Sequence, residues 1–189
     1  MSIQTSARED HPTGRADSLE SAFSAWVRQH GGAVLKVARA YTRTNDDRDD
    51  LVQEILLQVW RSLPQYRSEA SVPTWCYRVA LNTALTWRRN ERRRSNGRAP
   101  WIDVESLTET APDGSLQAAD REMVERLYAA IHTLPVTDAA LVLLSLEGLS
   151  YQQMAEVVGV SESNIGVKLH RARAALAERM RGSDDLHES

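Results

Sequence analysis

Five arginines fall within seven residues, Arg88, Arg89, Arg92, Arg93 and Arg94, with Arg98 close behind. Guanidinium groups bind phosphate bidentately and never lose their charge, so the cluster suits a nucleic-acid backbone. A solvated basic helix end that complements the helix dipole would look the same. Trp75, Tyr77 and Trp87 lie on the segment leading into it. Aromatic rings interleaved with arginine are what unstacked bases require, because rings stack while guanidinium groups hold phosphates. For any one of these rings a place in the helical core is the commoner role. A second group runs Ser161, Glu162, Ser163, Asn164, Lys168, Arg171, Arg173, with short polar side chains before longer cations. Asn pairs with adenine through two hydrogen bonds, whereas Arg and Lys more often meet phosphate. A third group is acidic: Asp46, Asp47, Asp49, Asp50 and Glu54. Acids favour a first helical turn through the dipole alone, but Asp50, Gln53 and Glu54 should stand exposed beside an apolar stripe, open to a basic protein partner.

Catalytic chemistry finds little to work with. The histidines His11, His30, His132, His170 and His187 are scattered, and no Ser/His/Asp order, phosphate-cradling glycine loop or helical His pair is present. Asp50 and Glu54 lie four apart, yet paired helical acids without a histidine usually form a solvated face. The expectation is no catalytic residue, no cofactor and no metal. The one cysteine, Cys76, makes neither an internal disulfide nor a Cys-rich zinc site. No apolar run approaches the ~20 residues that cross a bilayer, and the N-terminus lacks the apolar core of a secretory signal. A cytoplasmic protein without membrane insertion is expected.

The elements that must position these groups read as helices throughout. Residues 1–18 are polar and aperiodic, a disordered lead. Leu19, Phe23, Trp26 and Val27 recur at three- and four-residue spacing, Gly31-Gly32 breaks the pattern, and Val34, Leu35, Ala38 and Tyr41 resume it. Asn45-Asp46-Asp47 supplies a cap for a helix striped by Leu51, Val52, Ile55, Leu56, Val59, Trp60 and Leu63, ended by Pro64. A loop over 65–71 leads to a third helix with Pro73 in its first turn and Trp75, Val79, Ala80, Leu81, Ala84 and Leu85 inward. Residues 95–118 have no period and read as a flexible linker between independently folded units. Met123, Leu127, Ala130, Ile131 and Leu134 mark a further helix, stopped by Pro135, and a short apolar helix covers 139–146. Two more helices occupy 150–181. Ser150 caps the first, Met154, Ala155 and Val158 face inward, Gly159 turns the chain, and Ser161 caps a second helix with Ile165 and Leu169 inward: a helix-turn-helix. The fold class is all-α, two small helical domains (19–94 and 119–182) with an acidic tail at 183–189.

Charge follows this division. The net −3 conceals 16 basic against 11 acidic residues over 1–98, while 99–120 carries five acids and no base. Local polycation, not net charge, governs phosphate binding. Of the 23 basic residues 21 are Arg, although codon bias in a GC-rich genome gives the same excess.

Taken together, the motifs resemble the extracytoplasmic-function sigma factors of bacterial RNA polymerase. The run from Asp47 to Leu63 is similar to the family's polymerase-docking helix, and that from Trp75 to Ala84 to its promoter-melting helix. Leu134-Pro135, the stretch Glu147 to Ala155 and the stretch Leu169 to Leu176 are similar to its C-terminal DNA-binding domain. Departures exist: Val72-Pro73 and Cys76 stand where Phe-Arg and Leu are usual, and Ser163 to Lys168 replaces the commoner recognition-helix sequence. The resemblance implies that Asp47, Asp50, Gln53 and Glu54 dock on the clamp of the polymerase largest subunit. It implies that Tyr66, Trp75, Tyr77, Asn82, Arg88, Arg89 and Arg92 meet minus-ten promoter DNA. It assigns Ser161, Ser163, Asn164, Lys168 and Arg171 to the minus-thirty-five element, and leaves an anti-sigma factor open as a further partner. The competing readings are a one-component helix-turn-helix repressor with a helical sensing or dimerising domain, and a protein-interaction adaptor.

Overall fold

The computed structural model describes residues 12–66, 70–90 and 118–184. Among these, seven α-helices and no strand occur: α1 (Pro12–Tyr41), α2 (Asn45–Ser62), α3 (Val72–Asn90), α4 (Ala118–His132), α5 (Val136–Leu146), α6 (Tyr151–Val158) and α7 (Glu162–Asp184). The lead expected over 1–18 is corrected at its end, because α1 already runs from Pro12. Residues 1–11, most of the linker and the tail beyond Asp184 lie outside the described residues.

Helix α1 passes straight through Gly31-Gly32, where a break was expected. Two interior glycines cost about 2 kcal/mol of propensity relative to alanine. The apolar stripe keeps its phase across them, from Trp26 through His30 to Val34, Val37, Ala38 and Tyr41, and tertiary packing of that stripe outweighs the local cost. Helix α2 is capped by Thr44 rather than by the Asn-Asp-Asp run. The Thr44 hydroxyl accepts from the Asp47 amide at 3.1 Å and donates to the Asp47 carboxylate at 2.6 Å. Its buried residues are Leu51, Val52, Ile55, Leu56 and Val59, and Pro64 closes it in a single 3-10 turn (Leu63–Gln65). In α3 the Ser71 hydroxyl caps the Thr74 amide at 3.3 Å, with Pro73 in the first turn.

Helices α1, α2 and α3 pack mutually, and α4 to α7 form the second unit. The short helix α5 buries all of Ala139 to Leu144, apolar on every side. A helix apolar all round must be covered all round. It packs on α7 on one side and touches α1 and α3 on the other, so the two units share one apolar core instead of standing apart.

A polar seam completes the contact. The Tyr41 hydroxyl donates to the Val136 carbonyl at 3.1 Å, and the His132 Nε2 lies 2.8 Å from the Arg39 carbonyl. Arg39 pairs with Glu125 at 2.7 Å and sits 4.5 Å over the Tyr128 ring. At the other end Glu147 accepts from Lys36 Nζ at 2.7 Å and from the Tyr77 hydroxyl at 2.6 Å.

Candidate nucleic-acid and polymerase interfaces

The helix-turn-helix is built by local chemistry. Ser150 and Gln153 form a reciprocal capping box on α6: the Ser150 hydroxyl accepts from the Gln153 amide, and the Gln153 side chain accepts from the Ser150 amide. Gly159 ends α6 with φ +75°, a left-handed conformation that a side chain would strain. Inward residues are Met154 and Val157, with Ala155 and Val158 half-buried, so Val157 takes the place expected for those two. Ile165, Leu169, Ala172 and Leu176 anchor α7, leaving Ser161, Glu162, Ser163, Asn164, Lys168, His170 and Arg171 exposed. The Ser161 carbonyl accepts the Asn164 and Ile165 amides, and its hydroxyl lies 3.2 Å from that of Ser163. Arg173 is exposed but turned back, donating to the Ser145 hydroxyl on α5. A Cβ added at Gly166 would meet the Tyr151 ring at 3.4 Å, an ordinary contact.

On α2, Asp50 is exposed and Gln53 and Glu54 half-exposed, on the face opposite the buried stripe. Glu54 accepts from the Gln58 amide at 3.0 Å. Asp47 is tied into the Thr44 cap, so part of its charge serves the helix start.

On α3 the expected sites divide. Arg78, Asn82, Thr86 and Arg89 recur at helical spacing and are all exposed, with Arg88 half-exposed. Arg78 was not singled out, although its four-residue spacing to Asn82 is visible in the sequence. Trp75 takes the inward place expected of it on this helix and Tyr77 is buried as well, at 6% and 4% exposure, so the expectation that the two rings meet minus-ten DNA is corrected. Trp75 packs edge-on to Trp26 with centroids 6.0 Å apart and tilted on Tyr66 at 5.0 Å, so its faces are occupied by protein. Tyr77 is spent on Glu147, and burial with that carboxylate pushes its hydroxyl pKa far up. Trp87 is buried too. Tyr66 is half-buried and donates to the Ala70 carbonyl at 2.6 Å. Arg92 lies outside the described residues. Between α2 and α3 an open groove of about 420 Å³ is lined by Glu54, Gln58, Asn82, Thr83 and Thr86, bringing one expected polymerase residue beside one expected DNA residue.

Cys76 is fully buried, which pushes its thiol pKa up to about 12. Among the described residues no group of three or more His, Cys, Asp or Glu could hold a metal ion, and no helix is long and apolar enough to cross a membrane.

A capped helix, a left-handed glycine turn and a second helix presenting polar side chains at its exposed start define a DNA-binding helix-turn-helix protein. Residues 26–94 match the family described as sigma-70 region 2, and residues 124–176 match sigma-70 region 4. The chain is 31% identical over 157 residues to the ECF RNA polymerase sigma factor SigM of Mycobacterium tuberculosis, covering 82% of this chain and 76% of that one. It is 30% identical over 177 residues to SigE of Mycolicibacterium smegmatis, covering 89% and 68%. Among solved structures it is similar to CnrH in complex with the cytosolic domain of CnrY (TM-score 0.62, 21% identity, 86% of this chain and 90% of that one). It is also similar to the sigma factor RpoE in complex with the anti-sigma factor NepR from Bartonella quintana (TM-score 0.63, 20% identity, 85% and 97%). The chain belongs to the ECF sigma factors, and its function is to direct RNA polymerase to promoters. The repressor reading finds no support in these relationships.

Proposed function

We propose that this sigma factor divides its work between two units, 19–94 and 119–182, joined by the tether 95–118. The first docks on core polymerase and engages the minus-ten element; the second reads the minus-thirty-five element as duplex. Asp50, Gln53 and Glu54 form the surface offered to the clamp of the largest subunit, supported by their common exposed face on α2. Asn82, Arg88 and Arg89, with Arg92 beyond, serve minus-ten DNA, and the row Arg78, Asn82, Thr86, Arg89 supports this. Trp75 and Tyr66 act there as packed support before α3, the Tyr66 hydroxyl holding the Ala70 carbonyl, rather than as stacking rings. The chain performs no catalysis, since polymerase supplies the chemistry, and it works in the cytoplasm. An anti-sigma partner belongs to the same reading, supported by the solved neighbour bound to NepR.

The observation that carries the second half is the exposed start of α7: Ser163 and Asn164 in the first turn, Lys168 and Arg171 one and two turns on. Base contacts specify and phosphate contacts position. Asn164→Ala is expected to cost about 1–3 kcal/mol on the cognate sequence and to relax preference at one base. Arg171→Ala should weaken all sequences alike and lower the salt slope by about one unit. Affinities of the polymerase holoenzyme across single-base variants at several salt concentrations check both. Equal weakening of every sequence by both variants would refute the assignment of Asn164.

A further inference from the structure

The exposed face of α7 carries one residue that polar chemistry does not explain. Val167 is 56% exposed, one of few large apolar side chains left open among the described residues. A β-branched residue on a solvated helix face adds nothing to packing and has lower helix propensity than alanine. Single exposed apolar residues are common, so position decides. At about 100° per residue, Val167 points about 170° away from the mean direction of the buried Ile165, Leu169, Ala172 and Leu176. It therefore stands at the centre of the outward face. Ser163 is one turn before it, Arg171 one turn after it, and Asn164 and Lys168 lie to one side of it, all exposed. Gly166 beside it is half-exposed, and the Tyr151 ring is the nearest group to the side chain it lacks. A helix inserted in the major groove by this face would bring the valine methyls, its largest exposed apolar group, to the groove floor. The apolar group the major groove displays there is the thymine C5-methyl.

We infer that Val167 is a specificity-determining residue that reads a thymine methyl group in the duplex element bound by α7. The inference rests on the proposed role of α7 and deepens it, adding an apolar contact to the hydrogen bonds of Asn164.

The test uses the full-length chain with core polymerase. A duplex enriched from a randomised pool by this holoenzyme is remade with each thymine in turn replaced by deoxyuridine, which lacks only the methyl. With the unaltered chain, one replacement should weaken binding about fourfold, equivalent to about 0.8 kcal/mol or one buried methyl group. With Val167→Ala the thymine and deoxyuridine duplexes should bind alike, both near the weaker value. Asn164→Ala should keep the thymine preference, since it removes a different contact. Discrimination that survives Val167→Ala, or no deoxyuridine-sensitive position, overturns the role of Val167 while leaving the role of α7 standing. Failure to enrich any sequence overturns both.

Discussion

Glu147 holds the two units together from a position where its loss can be sized. Its side chain is 19% exposed and accepts hydrogen bonds from Tyr77 at 2.6 Å and Lys36 at 2.7 Å. A hydrogen bond to a charged group contributes about 1.5–3 kcal/mol, so Tyr77→Phe should weaken the closed arrangement by that amount. Lys36 is 38% exposed, and an ion pair this open is worth at most about 1 kcal/mol. Glu147→Ala removes both contacts and strands a buried tyrosine hydroxyl, for a total of about 2–4 kcal/mol. At tenfold per 1.4 kcal/mol, the ratio of closed to open forms should fall by about thirtyfold at the low end and several hundredfold at the high end. Energy transfer between dyes placed at the exposed Gln65 and Glu178 reports the separation through a urea titration. The order of decreasing resistance should be unaltered chain, Lys36→Met, Tyr77→Phe, Glu147→Ala. Separation of all four at one urea concentration would refute the assignment of Glu147 as the fastening.

Two further outcomes follow from packing and burial. Gly166→Ala should stabilise the chain by up to about 1 kcal/mol, because the new methyl group meets the Tyr151 ring at ordinary contact distance and the helix gains propensity; thermal unfolding checks it, and a loss of stability contradicts it. Burial keeps Cys76 protonated to about pH 12, while the unfolded thiol ionises near pH 9. Its contribution is therefore fully present below about pH 9 and lost as pH rises toward 12. Tyr41 and Tyr77, also raised by burial, act in the same direction above about pH 10. The urea midpoint should fall between pH 8 and 10.5, and Cys76 should resist alkylation in the folded chain at pH 8; an unchanged midpoint contradicts the account.

What the sequence made legible was whatever is encoded within one helix. The stripe of α2, the cap at Ser150 and the turn at Gly159 each depend on residues four or fewer apart, and each is found in place. Gly31-Gly32 misled because propensity is a local cost of a few kcal/mol, while the continuity of α1 is decided by what Val34 and Val37 pack against. Tyr77 misled, and Trp75 drew two readings, inward on its helix and against minus-ten DNA, for a related reason: an aromatic ring beside arginines has the composition of a base-stacking site and of a core alike. Only tertiary position separates them. The seam was invisible altogether, since Glu147 finds Tyr77 and Lys36 at separations of 70 and 111 residues, with no pattern linking them. Its one indirect signal was the unbroken apolar run of α5 from Ala139 to Leu144, too greasy for a helix with only one neighbour.

Run-off transcription tests the division of labour most directly. Purified core polymerase is given a promoter template with either the unaltered chain or the Asp50→Arg, Glu54→Arg variant, whose folding is verified by circular dichroism. Reversing two charges at a complementary interface costs several kcal/mol. The unaltered chain should yield a transcript from one start site, and the folded variant should yield none and fail to retain core polymerase in a pull-down. Equal transcript from both chains, at equal polymerase affinity, would contradict docking through α2.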